Sequence, residues 1–226
     1  ERLHQRFRLL QARHRDDDRQ STLSAALEWS WETLTDDQAR CLEALSVFRD
    51  GFEVQAAVTV TGTPSRVLRE RFQQLHEQSM LQRTEDQGSD RYYLLQSIRL
   101  FAAERLAKTG HAERYREAHA TYYGDLGEHL FLQSQQMALA DVLVPIQRER
   151  ANFLAALENA SRKDVNSAVG AAMGLVPLLF TQGPVALGTR IILQLAADAD
   201  KMNTQRKTIY LTTLARVRNI QGERES

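Results

Sequence analysis

Side chains that could carry chemistry are few in this sequence, and they form no recognisable catalytic or metal-binding set. Cys41 falls on an apolar helical face with Leu42 and Leu45, which is typical of a buried thiol rather than a nucleophile. As the one cysteine, it also excludes an internal disulfide and a multi-cysteine zinc site. The six histidines include no HExxH pair; His111 and His119 lie two helical turns apart, where we expect a solvated surface. We therefore predict no enzyme and no metal centre.

A second set of candidates is basic. Arg66, Arg69 and Arg71 lie on one predicted helix and suit contacts to nucleic-acid phosphates. Glu70 and Glu77 leave that helix near +1, and acidic residues also dominate the segment that follows. The whole chain has 29 basic and 29 acidic residues and no net charge, whereas nucleic-acid binders usually show a basic excess. The charge pattern disfavours DNA and favours a protein-docking role, with DNA binding kept as the alternative.

The elements that carry these arginines follow a definite order. Thr35 and Gln38 form a capping box that begins one of several short helices. Two strands, Met80–Thr84 and Arg91–Leu95, flank a glycine-containing turn, and Ser97 is placed to cap the helix that follows. Short helices, a two-stranded hairpin and a further helix are the elements of a winged helix.

The rest of the chain is predicted to be helical throughout. Five helices are expected at roughly His111–Leu132, Ile146–Ala160, Val165–Thr181, Val185–Asp198 and Thr204–Gln221. Their length, short connections and small residues suggest antiparallel pairs that begin a tetratricopeptide-like array. A mid-helix Asn152 is expected to face inward and to bond a neighbouring segment.

Three regions follow from this order of elements. Residues 1–20 form the end of an upstream helical subdomain and a polar link, residues 21–110 a winged helix, and residues 111–226 the tetratricopeptide-like domain. The predicted fold class is mainly α: a winged helix with a small two-stranded β-hairpin, followed by an α-helical array. We expect the chain to be a segment of a longer protein.

Several runs of this sequence resemble the segment that follows the nucleotide-binding core in bacterial NB-ARC/STAND signalling ATPases. They are FRLL (Phe7–Leu10), TLSAALEWSWETL (Thr22–Leu34), LSVFRDGF (Leu45–Phe52), RYYLLQSIRLFAAERL (Arg91–Leu106) and RERANFLAAL (Arg148–Leu157). The resemblance extends from Phe7 to about Asp198. It implies a molecular switch, in which the winged helix locks or releases a nucleotide core and the helical repeats sense a protein or peptide.

Two departures from that family bear on function. The chain contains no GxxxxGK[ST] phosphate loop, so ATP or ADP with Mg²⁺ is implied for the full-length protein and no cofactor for this segment. Where many members carry a Met-His-Asp triplet that senses nucleotide, this chain has Leu94, Leu95 and Gln96. Leu95 cannot donate a hydrogen bond, so the nucleotide-sensing position, Leu95 and Gln96, is degenerate.

The resemblance also points to residues at a domain interface. The family packs its nucleotide core on the helix after the wing, and the candidates are Trp29, Trp31, Arg99 and Arg105. Ordinary exposed salt bridging is the alternative for the two arginines.

The function expected from the sequence is that of a non-catalytic regulatory and protein-interaction segment of a STAND-type ATP-dependent signalling or transcription-regulating protein. Its expected partners are an upstream nucleotide-binding domain of the same chain and a protein or peptide bound by the repeats. The alternative is a DNA-binding winged-helix transcriptional regulator. We expect a cytoplasmic location, because the single cysteine excludes an internal disulfide. No apolar stretch approaches the length of a membrane span.

Overall fold

The computed structural model describes residues 25–86, 88–160 and 164–225, and describes side chains for these residues except 86 and 220–225. The predicted upstream segment, residues 1–20, and the start of the first predicted helix at Thr22 lie outside the described residues. The described chain is mainly α with one β-hairpin, as predicted. No helix within the described residues is long and apolar enough to cross a membrane.

The first half has the element order of a winged helix. Its elements are α1 (25–32), α2 (Asp36–Leu45), α3 (Val54–Thr61), α4 (Ser65–Glu77), β1 (Gln82–Asp86), β2 (Ser89–Tyr93) and α5 (Gln96–Lys108).

Local sequence explains where these helices begin and end. The Thr35 hydroxyl accepts from the backbone N–H of Gln38, whose side chain accepts from the backbone N–H of Thr35, so the predicted capping box is confirmed. Gly62 ends α3 with a left-handed φ of 70°, which glycine adopts without steric cost. The predicted cap at Ser97 is wrong, because α5 begins at Gln96 and Ser97 lies within its first turn.

The hairpin keeps the pairing implied by the predicted strands, Thr84 with Arg91, but extends two residue pairs further towards its turn. Gln82 pairs with Tyr93 and Asp86 with Ser89, and Gly88, next to the end of the hairpin, has a φ of 78°. The predicted strands were separated by a six-residue turn, EDQGSD. This run is entirely polar or glycine, a composition typical of turns and not of strands. An isolated antiparallel bridge between Phe52 and Tyr92 joins β2 to the segment before α3.

The second half is helical, as predicted. It comprises α6 (Ala112–Ser134), α7 (Leu139–Asn159), α8 (Val165–Thr181), α9 (Val185–Gln194), a 3₁₀ segment (Leu195–Lys201) and α10 (Thr204–Glu225). Helix α7 begins at Leu139 and not at Ile146, with Pro145 inside it. Pro145 directly precedes the predicted start, but in the structure it is the seventh residue of the helix, near the end of its second turn.

The closest helix crossing in the second half joins α6 to α8. Backbones approach so closely there that a Cβ on Gly170 would lie 2.2 Å from the carbonyl oxygen of Gly124, and one on Gly127 would lie 2.4 Å from that of Gly170. Helices α6, α7 and α8 all contact one another. The tightest contact therefore joins α6 to α8, which are not consecutive in the chain. The predicted tetratricopeptide-like array would instead pair each helix with the next one along the chain.

The hydrophobic core is continuous across both halves. It runs from Trp31 in α1 to Val217 in α10, and α3 of the winged helix packs directly against α6. The winged helix and the helical bundle are therefore packed as neighbours with a shared core in the described residues.

Candidate nucleic-acid interface and junction with the helical bundle

Helix α4 occupies the position at which a winged helix presents its recognition helix. Leu68, Phe72 and Leu75 are fully buried and hold one side of α4 on the core. The opposite side is exposed and carries Arg66 and Arg69. We call the exposed arginine-bearing surface of α4 and the hairpin the outer face.

The cations of the outer face are mostly paired with acids. Arg66 Nε lies 3.2 Å from a carboxylate oxygen of Glu70, and Arg71 Nη2 lies 2.9 Å from one of Asp37. Hydrogen bonding from Arg40, together with the charge of Arg71, lowers the pKa of the Asp37 carboxyl group. Arg69 has no ion-pair partner among the described residues.

The hairpin contributes the same kind of pairing. Arg83 donates to Asp90 across the two strands at 2.8 Å, and this hydrogen bond raises the pKa of Arg83. A polar cleft of about 540 Å³ separates the hairpin from the start of α4, and Arg69, Arg83, Glu85 and Asp90 all line it. A phosphate entering this cleft would meet carboxylates beside each cation except Arg69, which weakens the gain from counterion release.

A different arginine of the hairpin is withdrawn from solvent. Arg91 is 1% exposed, and its guanidinium donates to the Glu149 carboxylate of α7 and to the carbonyl oxygens of Gly51 (2.5 Å) and Arg148 (3.0 Å). Burial disfavours the charged form, but the bond and charge of Glu149 outweigh it and raise the pKa of Arg91. Arg91 therefore remains charged and joins β2 to α7.

Asn152 completes this contact from the next turn of α7. Fully buried, it donates to the Gly51 carbonyl (3.0 Å) and to Glu149 (2.9 Å), and it accepts from the backbone N–H of Arg49 (3.0 Å). The prediction that Asn152 faces inward is confirmed. Two of its partners, Arg49 and Gly51, lie in the winged helix, and the third, Glu149, lies one turn away on α7. Arg91, Glu149, Asn152 and the backbone around Gly51 are called the junction below.

An aromatic cluster extends the junction. Phe48 packs edge-on against His119 and Tyr123 of α6, at ring centroid distances of 5.2 and 6.2 Å. His119 is fully buried, so the predicted solvated surface is wrong at this position, although His111 is exposed. Burial lowers the pKa of His119 to about 3, so the ring is neutral at neutral pH.

The four predicted domain-interface residues fall into two groups. Trp31 is buried, and Arg105 stacks over Trp31 and Phe101 at 5.2 and 4.9 Å, so both contribute to the winged-helix core. Trp29 is 71% exposed. Arg99 is partly exposed and has no hydrogen-bond or ion-pair partner among the described residues.

The degenerate nucleotide-sensing position lies at the start of α5. Leu95 is 49% exposed and precedes the first turn, and Gln96 is exposed as its first residue. Gln96 and Arg99 line a cleft of about 430 Å³ with Arg49 and Glu158. Burial and the nearby charge of Arg49 lower the pKa of Arg99. The nucleotide-sensing role of Leu95 and Gln96 stays a prediction.

The remaining chemistry is structural. Cys41 is buried, as predicted, and burial raises the pKa of its thiol to about 12. Among the described residues, no group of three or more histidine, cysteine, aspartate or glutamate side chains could hold a metal ion.

Three residues that connect the winged helix to the bundle were not predicted from the sequence: Arg91, Glu149 and His119. Arg91 and Glu149 are 58 residues apart, and neither has a neighbour in the sequence that predicts their pairing. One available signal was the run RERANFLAAL, in which Glu149 and Asn152 lie three residues apart on one face of a helix.

Comparison with known proteins identifies similar proteins only over part of their length. Three curated mycobacterial proteins are each 30% identical over 169 residues: "Putative HTH-type transcriptional regulator" Rv0890c and MT0914 of Mycobacterium tuberculosis, and Mb0914c of Mycobacterium bovis. The match covers 72% of this chain and 19% of each relative, so the chain spans about a fifth of their length. No family model and no solved structure matches. The winged helix described above is compatible with a helix-turn-helix regulator.

Proposed function

We propose that this chain is the winged-helix and helical segment of a larger transcriptional regulator. The similarity to proteins named as regulators supports this class, and the winged-helix order of elements fits it. The observation that carries the proposal is the junction, which fixes the winged helix to the helical bundle through a buried ion pair between Arg91 and Glu149. Such a contact suits a module that passes a change in the bundle to the winged helix.

Within that class, the outer face favours protein docking over direct DNA reading. Three of its four arginines, Arg66, Arg71 and Arg83, lie against carboxylates. The carboxylate paired with each of these arginines would repel an approaching phosphate. An upstream nucleotide-binding domain with ATP or ADP and Mg²⁺, as the NB-ARC/STAND resemblance implies, is the finer form of this proposal. This segment would then be a non-catalytic part of a cytoplasmic protein.

Direct DNA binding is the second candidate, and the relatives' name favours it. Arg69 is the residue best placed for a phosphate, because it is exposed beside the cleft and carries no ion pair among the described residues. On this account Arg66, Arg71 and Arg83 exchange weak surface pairs for phosphate, since exposed pairs contribute only about 0–1 kcal/mol.

Fluorescence anisotropy with a labelled mixed-sequence duplex separates the two candidates. The chain is titrated at about 50 and 200 mM salt, the range over which phosphate-driven binding falls steeply. Protein docking predicts no saturation below roughly 100 µM at either salt concentration, the weak end of non-specific DNA affinity. Micromolar binding that weakens steeply with salt would establish DNA binding instead.

Two variants identify the surface responsible if binding occurs. Arg69→Ala should weaken DNA binding if the outer face holds the duplex, whereas Arg116→Ala, an exposed arginine on α6, serves as the matched control. An equal loss in both variants would indicate diffuse charge attraction and would rule out a specific winged-helix reader.

A further inference from the structure

An apolar cavity in the helical bundle lies well away from the outer face and the junction. It has a volume of about 310 Å³ and opens between the ends of α6 and α8, the start of α7 and the middle of α10. Its lining is mainly apolar: Phe131, Leu139, Val176, Pro177, Phe180 and Val217. The volume lies at the lower end of the range for small-molecule sites.

The hydroxyl groups in this lining already donate hydrogen bonds within the protein, so they do not require a partner on the ligand. The hydroxyls of Ser134, Thr181 and Thr213 donate to the carbonyl oxygens of Phe131, Pro177 and Ile209, each within the same helix. Gln135, which is exposed and also lines the cavity, donates its side-chain amide to the Ser134 hydroxyl (3.1 Å). A ligand body entering the cavity therefore meets mainly hydrocarbon and hydrogen-bonded hydroxyls, which favours an apolar chain or ring.

The mouth of the cavity carries one cation, Arg216. It is exposed on α10 and has no hydrogen-bond or ion-pair partner among the described residues. A guanidinium binds a carboxylate through two parallel hydrogen bonds. Among the described residues, the acids in ion pairs with α10 lie against Arg206 and Lys207 near its start. Since no described residue pairs with Arg216, its charge can meet an anionic head group.

We propose that this cavity binds a small amphipathic carboxylate, with its apolar body between α6, α8 and α10 and its carboxylate on Arg216. At roughly 30 Å³ per non-hydrogen atom, as for liquid water, the cavity admits about ten such atoms. A straight-chain carboxylate of about ten carbons has the matching size. Such a ligand would be an effector of the bundle, and the site does not depend on whether the winged helix binds DNA or protein.

Isothermal titration calorimetry of the whole chain with decanoate tests the site, with decanol as the uncharged probe of the same length. We expect a dissociation constant on the order of 100 µM for decanoate, within the efficiency range of small ligands. Arg216→Gln should weaken decanoate binding about tenfold and leave decanol binding unchanged. Arg218→Gln, an exposed arginine two residues further along α10, is the matched control and should change neither.

A second variant tests the location. Val176→Trp places a larger side chain in the cavity and should abolish binding of both probes. If this variant does not fold, the comparison of Arg216→Gln with Arg218→Gln still tests the site. Absence of decanoate binding would overturn the proposal. Equal affinity for decanoate and decanol, or equal loss in the two arginine variants, would also overturn it, because both results indicate non-specific adsorption.

Discussion

Arginines of the winged helix pair with acids in two different settings, buried at the junction and exposed on the outer face. The buried pair holds the fold together, whereas the exposed pairs lie on the candidate binding surface. At the junction, Arg91 is withdrawn from solvent and bonded to Glu149, two carbonyl oxygens and, through Glu149, Asn152. On the outer face, Arg66 and Glu70 pair in water, with most of both side chains exposed. Buried pairs are costly to break, whereas exposed pairs contribute little. The junction therefore fixes domain packing, and the outer face remains available to a partner.

The largest effect is expected from breaking the junction. Glu149→Ala leaves Arg91 charged and buried without its carboxylate, which should lower the free energy of unfolding by about 3–5 kcal/mol. Urea denaturation followed by circular dichroism measures this change. Glu158→Ala is the matched control on the same helix, because its bond to Arg49 is exposed and should contribute under about 1 kcal/mol. Similar losses in the two variants would remove the contrast.

The second-largest loss of unfolding free energy is expected from overpacking the contact between α6 and α8. Gly170→Ala would place a Cβ against the backbone of Gly124, which cannot move without separating α6 from α8. Alanine usually stabilises a helix relative to glycine, yet here we expect a loss of about 3 kcal/mol from overpacking. The variant Gly88→Ala, at an open turn with positive φ, should cost about 1 kcal/mol in the same denaturation assay. A neutral or stabilising Gly170→Ala would show that the two helices are loosely packed.

The buried histidine should make stability depend on pH. The pKa of His119 in the folded chain is about 3, below the ordinary value of 6.5, so the unfolded state binds the proton first as pH falls. Its contribution is fully present above pH 6.5 and is lost as pH falls towards 3, by at most about 1.4 kcal/mol per unit. Between pH 6.5 and 5 we expect a loss of about 2 kcal/mol.

Unfolding measured at several pH values in two variants isolates this residue. His119→Leu should flatten the dependence between pH 5 and 6.5, whereas His111→Gln, at an exposed position, should leave it unchanged. An unchanged slope in His119→Leu would mean that His119 is accessible to protons in the folded chain.

The smallest effect is expected on the outer face. Asp37→Asn removes the carboxylate that pairs with Arg71 and Arg40, all with exposed or partly exposed side chains. The free energy of unfolding should change by less than about 1 kcal/mol, and less again at high salt, as measured by urea denaturation at two salt concentrations. A loss above 2 kcal/mol would place this pair with the junction instead.

Local signals in the sequence predicted most of the secondary structure. The capping box at Thr35, the stop at Gly62 and the bounds of α8 follow from neighbouring residues, and they agree with the structure. The ends of the two strands at the turn and the start of α7 were not predicted, because a polar run and Pro145 suggested loops at these positions.

The junction could not be predicted in the same way. Arg91 looked like one more exposed cation of the hairpin, and His119 like a surface histidine, because burial depends on how α6 and α7 pack on the winged helix. Such contacts join residues 40 to 103 positions apart, and no single-sequence pattern encodes them. Arg66, Arg69 and Arg71 lie on one helix, as predicted, but the acids that pair with Arg66 and Arg71 were not predicted.

A pair of double-mutant cycles tests the central contrast most directly. One cycle combines Arg91→Met with Glu149→Gln, and the other combines Arg66→Met with Glu70→Gln, with unfolding free energies measured for every variant. We predict a coupling energy of about 2 kcal/mol or more at the junction and under about 0.5 kcal/mol on the outer face. Equal coupling energies in the two cycles would contradict the account, because the junction would then fix the winged helix no more firmly than a surface pair.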